Sequence, residues 1–231
     1  MIRTFEGIVI RQTKIVGGRR MILVFTREEG KISAGTHISE KSKGGAALAI
    51  RPFAYGHYTM SEKGSGTRSI TAAETLDAHY ALGEDSDRFA EASFALEFTD
   101  KILPDDAGAP AIFDLLKCFL AMLSGRKKDC RLLTISYLIK IMQELGVFPD
   151  EVSLTEGTAS RTGGLLLSGL NGDILNTIVF IAGQPLERMD ALTLESEKEE
   201  AVFGVIKAFA HEHLELGNIK SERMLSGESE R

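Results

Sequence analysis

Cysteine is scarce: the 231 residues hold two, Cys118 and Cys130, and they make no C-x-x-C pair. Two buried, reduced thiols fit a cytoplasmic chain. No apolar run approaches the roughly 20 residues that span a bilayer. The N-terminus enters a strand pattern at once, without the apolar stretch of a signal peptide. Catalytic signatures are missing as well, with no G-x-S-x-G and no H-E-x-x-H. His211 and His213 stand two apart on a helical stretch, so they point to different faces and cannot share a metal as an i, i+4 pair would. Asp105-Asp106 and Glu199-Glu200 read as helix-end and surface charge, not as paired catalytic carboxylates. Lys63-Gly64-Ser65-Gly66-Thr67 lacks the spacing of a phosphate loop and joins two strands rather than a strand and a helix. Nothing here calls for an enzyme, a cofactor or a metal, and no internal repeat is present.

What is present is divided by charge. The net charge of −6 argues on its face against nucleic acid, but residues 1–82 hold 12 Lys/Arg against 7 Asp/Glu, a balance of +5, while the remainder stands at −11. A basic N-terminal part joined to an acidic rest implies a division of labour. The basic part is organised around Gly7–Phe53. Apolar and polar residues alternate through Gly7–Arg11, Arg20–Thr26 and Lys31–Thr36, the period of half-buried strands. Five strands are expected, over 3–11, 20–26, 30–36, 47–60 and 67–76, with Gly-rich turns at Val16–Arg19, Glu28–Lys31 and Glu62–Gly66. Five short strands in about 80 residues make a small closed barrel, of which the OB-fold is the commonest nucleic-acid-binding type.

Helical periodicity takes over near Ser86. Phe89, Ala92, Leu96 and Leu103 define one face, and Pro104 ends that helix. Pro110 opens a second helix with the stripe Ile112, Leu115, Leu116, Phe119, Met122 and Leu123, closed by Gly125. A third, from Asp129 to Leu145, is apolar on most sides and so belongs at the centre of a helical core. Residues 149–172 are irregular, with a short strand expected at Leu165–Leu167. A helix follows over Asp173–Ala182. Ser196-Glu197-Lys198-Glu199 has the form of a capping box and starts a last helix running to Leu216, with Gly217 as its stop. A polar tail follows Leu225.

Cations mark two candidate surfaces. Lys14, Arg19, Arg20, Arg27, Lys41 and Lys43 crowd the barrel turns, where neither core packing nor helix pairing explains them. Arg11 and Arg51 add to them on the strands. If the fourth strand keeps its register, Arg51, Phe53, Tyr55 and His57 share one face and could stack bases, although Phe53 and Tyr55 also read as core. The second cluster is Arg126, Lys127, Lys128 and Arg131, at the start of the third helix. Cations there oppose the helix dipole, an arrangement that suits an anion-binding site, though a solvated turn is the commoner explanation.

Taken in order, Gly7-Ile8-Val9-Ile10-Arg11, Val24–Lys31, Arg51-Pro52-Phe53, Glu144–Pro149 and Lys220–Leu225 resemble the RecO family of bacterial recombination mediators. The resemblance implies an α+β, multidomain chain: an N-terminal five-stranded OB-fold barrel over 1–82 that binds DNA, then a mainly α-helical, partner-binding domain over 83–231, which for want of cysteines is expected here without a zinc site. It further implies non-catalytic binding of single- and double-stranded DNA, strand annealing, and recombinase loading with RecR and the single-strand-binding protein. The chemistry of that protein's acidic, apolar C-terminal tail points to Arg126, Lys127, Lys128 and Arg131 as its place. A cytoplasmic, nucleoid-associated protein with no membrane contact is expected. Two departures stand out. Many relatives carry four zinc-binding cysteines after the Gly-x-x-Pro block, whereas Asp150–Ser168 here contains none. The loop after the third strand, Gly35–Lys43, has fewer cations than is usual and one acid. The alternative reading is a protein-interaction adaptor of the repair machinery with little DNA affinity.

Overall fold

The computed structural model describes residues 1–15, 19–38, 45–62, 64, 66–105, 107–149 and 170–225. Strands β1 (Ile2–Lys14), β2 (Arg20–Thr26) and β3 (Gly30–Thr36) form an antiparallel meander; a one-turn helix, α1 (Ala46–Ala49), follows, and β4 (Tyr55–Glu62) and β5 (Arg68–Asp77) make a hairpin. The second edge of β1 pairs with β4, and β3 meets β5 in parallel, closing a barrel of order β1-β2-β3-β5-β4. That is the five-stranded winding of the OB-fold.

α1 corrects the expectation of a strand over 47–60. Alanine and leucine favour a helix, and this turn of helix plugs one end of the barrel. Ala49, Ile50 and Ala54 join the barrel core, where the fully buried Tyr58 donates its hydroxyl to the carbonyls of Ala49 (2.7 Å) and Ala54 (3.1 Å). Pro52 and a left-handed Phe53 (φ 73°) then turn the chain. The turn breaks the register on which a shared face for Arg51, Phe53, Tyr55 and His57 depended.

β1 departs from the expected alternation too. Phe5 and Val9 face the barrel interior, while Ile8 and Ile10 face outward into the helical core. Gly7–Ile10 is therefore an apolar run buried on both sides, as in sheets covered on two faces. β2 behaves likewise, with Ile22 and Val24 inside and Phe25 outside.

A 3₁₀ turn (Tyr80–Gly83) leads to α2 (Ser86–Ile102), α3 (Pro110–Gly125), α4 (Cys130–Glu144), α5 (Gly172–Gly183), a second 3₁₀ segment (Leu186–Ala191), α6 (Ser196–His213) and the short α7 (Glu222–Leu225). α4 is the central helix: every residue from Leu132 to Ile139 is buried. Its Tyr137 packs on Phe119 (4.7 Å between ring centroids) and shares a hydrogen bond with Thr99 (2.5 Å). Asp85 caps α2 by accepting from the Arg88 N–H. The capping box at Ser196 does not form; Glu195 holds the N-cap position and its side chain makes no capping bond. α7 was not anticipated. The Glu97 carboxylate, on α2, accepts from the N–H groups of Lys220 (2.9 Å) and Ser221 (2.8 Å) and from the Ser221 hydroxyl (2.7 Å), satisfying donors that the start of a helix leaves free. Leu165–Leu167 and the tail after Leu225 lie outside the described residues.

The outer wall of the barrel and the helices share one apolar core, distinct from the core inside the barrel. Phe25 meets Phe113 edge-on at 5.5 Å, and Phe53 meets Phe89 at 5.7 Å. The α2–α3 connection lies against the β2–β3 hairpin so closely that two glycines are required. A Cβ on Gly30, which is also left-handed (φ 73°), would stand 2.2 Å from the Ala107 carbonyl oxygen; one on Gly108 would stand 2.2 Å from that of Glu28. Both contacts are to backbone, which cannot swing aside. Gly108→Ala is expected to destabilise the protein by about 1–3 kcal/mol, the range for overpacking. Gly204→Ala, on an open face of α6 with nothing within 4 Å, is expected to stabilise it by about 1 kcal/mol through helix propensity. Denaturant unfolding of the two variants measures both.

Candidate nucleic-acid interface

Because the barrel interior is filled, a ligand must use its outside, and the helices take part of that. Phe25 and Lys31, at one end of the β2–β3 face, are covered. Met21, Leu23, Ser33 and Gly35 remain at the other end, partly or fully exposed. Between this face, the β4–β5 hairpin and the end of α2 lies a polar cleft of about 490 Å³, whose lining includes Arg11, Leu23, Ser33, Arg68, Asp100 and Asp105. Its floor at the helical side is an ion cluster. The Lys31 ammonium, 9% exposed, donates to the Asp100 carbonyl (2.7 Å) and carboxylate (3.1 Å) and stands 3.1 Å from Asp105.

The eight barrel cations expected to meet DNA are not equivalent. Arg11 lines the cleft, 3.6 Å from Asp100. Lys14 and Arg19 flank the β1–β2 turn, exposed and without an ion partner among the described residues. Arg20 is buried. Arg27 turns the other way and grips Asp114 of α3 through two hydrogen bonds (3.1 and 2.6 Å). That pairing, led by the hydrogen bond, holds the Asp114 carboxyl below its ordinary range. Arg51 is exposed on the turn beyond α1, at the plugged end of the barrel. Lys41 and Lys43 lie outside the described residues. Tyr55 is drawn into the domain junction: Lys117 donates to its hydroxyl (2.6 Å) and to Glu6 (3.1 Å), and the Tyr55 hydroxyl bond is the largest effect lowering the Glu6 pKa.

The second set of cations divides. Arg126 is buried and points toward the 3₁₀ segment, bonding Asp190 (2.8 Å) and the Met189 carbonyl (3.0 Å). Arg131 points toward α2 and α6. It bonds Glu91 (2.9 Å), Glu200 (2.5 Å) and the Leu225 carbonyl (2.9 Å) and lies 4.8 Å over the Phe203 ring. Burial raises the Glu91 pKa, and Arg131 is what opposes the rise most. Lys127 and Lys128 are exposed on the turn between α3 and α4. A second cleft of about 260 Å³ opens beside Arg131, lined also by Phe203, Lys207, Ile219, Arg223 and Leu225.

Sequence reasoning missed Arg68, Asp100 and Asp105 as lining residues, since a salt-bridged strand end and a helix end carry no motif. It also missed the outward set Met21, Leu23 and Phe25. The signal was there: β2 is apolar on both alternations, which means that something covers its second face.

No group of three or more His, Cys, Asp or Glu side chains among the described residues is placed to hold a metal. Cys118 and Cys130 are half-buried, and burial leads in pushing each thiol up to about 11, away from the thiolate a metal needs. With no cysteine in Asp150–Ser168 either, the chain does not supply a four-cysteine zinc site.

Barrel winding, plugged end and docked helical bundle together define an OB-fold protein with a helical domain clasped to its barrel. Residues 1–79 match the family model for the recombination protein O N terminal, and residues 83–162 the model for its C terminal. The chain belongs to the RecO family. It is 33% identical over 150 residues to the DNA repair protein RecO of Bacillus cereus, an alignment covering 64% of this chain and 59% of that protein. The Bacillus cytotoxicus protein of the same name is 31% identical over 149 residues and the Bacillus anthracis one 32% over 150, each covering the same shares. The match thus spans under two thirds of these relatives' length.

Asp105 carries the most exposed carboxylate of the cleft (79%, against 48% for Glu62), and Lys31 keeps Asp100 without it. Asp105→Asn is therefore expected to leave stability within about 0.5 kcal/mol and to raise the affinity of a labelled oligonucleotide about two- to threefold at low salt. The gain should vanish as salt screens it.

Proposed function

We propose that this chain is a non-catalytic DNA-binding mediator of recombinational DNA repair. It binds single- and double-stranded DNA, anneals strands, and helps load recombinase with RecR and the single-strand-binding protein in the cytoplasm, at the nucleoid. The observation that supports the reading is Arg11 in the cleft and Lys14 and Arg19 exposed beside the β1–β2 turn, without an ion partner among the described residues, on an OB barrel in a RecO-family chain. Arg20 and Arg51 add to the positive charge of the barrel, as do Lys41 and Lys43 by sequence, while Arg27 serves the domain junction first. No helix of the described residues is long and apolar enough to cross a membrane.

Phosphate contacts release counterions, so log affinity for a single strand falls with log salt by roughly 0.7 per contact. Lys14→Glu with Arg19→Glu should weaken binding of every sequence alike, by about tenfold or more at low salt, and flatten the slope by about 1.4. Titration of a labelled oligonucleotide across salt concentrations measures both, and unchanged affinity in the folded double variant refutes the assignment.

The adaptor reading draws on one feature: Arg27, Arg126 and Arg131 are paired within the protein. It requires partner binding without salt-dependent DNA binding, which the same titration detects. On either reading the tail of the single-strand-binding protein has a place by Arg131. Its acidic stretch would face Arg131, Lys207, Lys127 and Lys128, its apolar end would enter the slot by Phe203 and Ile219, and Arg126 would hold the turn. Lys207→Met keeps the aliphatic stem and removes the charge. It should weaken a labelled tail peptide about fivefold and leave oligonucleotide binding unchanged; loss of both ligands, or of neither, is the contrary result.

A further inference from the structure

We infer that the barrel holds a nucleic-acid strand by its phosphates alone and leaves the bases turned outward, free to pair. This rests on the DNA-binding reading above and specifies how that binding works. Barrels that bind single strands usually stack bases on aromatic side chains, and each stacked base adds about 1–3 kcal/mol. Residues 1–82 contain six aromatic side chains, Phe5, Phe25, Phe53, Tyr55, Tyr58 and Tyr80; Tyr80, on the 3₁₀ turn after β5, is exposed but does not line the cleft. The structure uses the other five elsewhere. Phe5 and Tyr58 fill the barrel. Phe25 and Phe53 are spent on Phe113 and Phe89 of the helical domain. Tyr55 lies beneath the Lys117 ammonium (4.3 Å from the ring centre) and is hydrogen-bonded to Glu6.

The open face is made instead of Met21, Leu23, Ser33 and Gly35, with no π-surface among them. A Cβ at Gly35 would meet nothing within 4 Å, so the space above it is real. Met21 and Leu23 can touch sugars but offer a base no plane. His57 lies on the β4–β5 side with Glu74 (3.7 Å), away from the cleft. His37, exposed just after β3, is a single ring where a stacking platform needs a row. Arg11, whose guanidinium could itself stack, is turned toward Asp100.

What remains to grip a strand is charge, which reads phosphates and ignores sequence. A strand held this way keeps its Watson–Crick edges toward solvent. Two complementary strands so held can pair without first being peeled from aromatic rings, and a duplex offers the same phosphates. Annealing and binding of both DNA forms then follow from one surface.

The test uses the full chain, an oligonucleotide with one internal 2-aminopurine, and its complement. Anisotropy of an end label reports binding, acrylamide quenching reports access to the base, and mixing with the complement reports annealing. At saturating protein and low salt, quenching should equal that of the free strand, and annealing should be faster than without protein. Met21→Trp places an indole on the open face. It should tighten single-strand binding about tenfold, quench the 2-aminopurine and slow annealing below the wild-type rate. Binding with the base shielded in the wild-type protein overturns the inference and leaves the DNA-binding reading intact, and this arm needs no variant. Absence of any binding at low salt removes both. Met21→Trp that binds tighter yet anneals as fast as wild type also overturns it.

Discussion

One strand buried on both of its faces ties this molecule together. Ile8 and Ile10 face the helices and Val9 faces the barrel, so the apolar run at the start of β1 belongs to two cores at once. Removing the helices would leave Ile8, Ile10 and Phe25 in water, at roughly 1.5–3 kcal/mol each. The OB barrel of this chain is therefore not a separable module with helices appended. Its outer wall is the floor of the helical domain, and Gly30 and Gly108 bring the two backbones to closest approach beside it.

That junction governs the electrostatics. Of the barrel cations that give residues 1–82 their +5 balance, Arg27 and Lys31 are taken by Asp114, Asp100 and Asp105 across the junction. The Arg27–Asp114 pair is exposed and contributes little to stability, while Lys31 is buried; both remove charge from the surface a polyanion would see. Net charge per segment thus overstates how basic the barrel looks from outside. Among the described residues, no acid of the helical domain reaches Lys14 or Arg19; Arg11 lies 3.6 Å from Asp100 of α2.

The fold was largely legible, and for a stated reason: β2, β3, α3 and α4 carry their period, their glycine stops and their proline start locally. The departures are tertiary. The strand expected from residue 47 extends nearby alternation into Ala47–Ala49, yet the role of α1 is to plug a barrel, which only the closed sheet defines. The Ser196 capping box has the right spacing and lost to a start one residue earlier. Site residues were legible only as charge. Which cation faces solvent depends on whether an acid from another element reaches it, as Asp114 reaches Arg27 and Asp190 reaches Arg126, and no local pattern records that. Asp100 and Asp105 shape the cleft from the far side of a domain boundary, where nothing in the barrel sequence could announce them.

The clasp between Glu97 and Lys220–Ser221 has a consequence for how the molecule is made. It joins residues 123 and 124 apart in sequence, and Arg131 adds a tie to Leu225. A ribosome adding about 5–20 residues per second releases the whole barrel several seconds before the segment that locks α2 in place. During that interval the barrel can close while Ile8, Ile10 and Phe25 wait uncovered, and α2 and α3 can cover them without yet being fastened. The segment leading into α7 thus acts as a latch on the first helix of its domain.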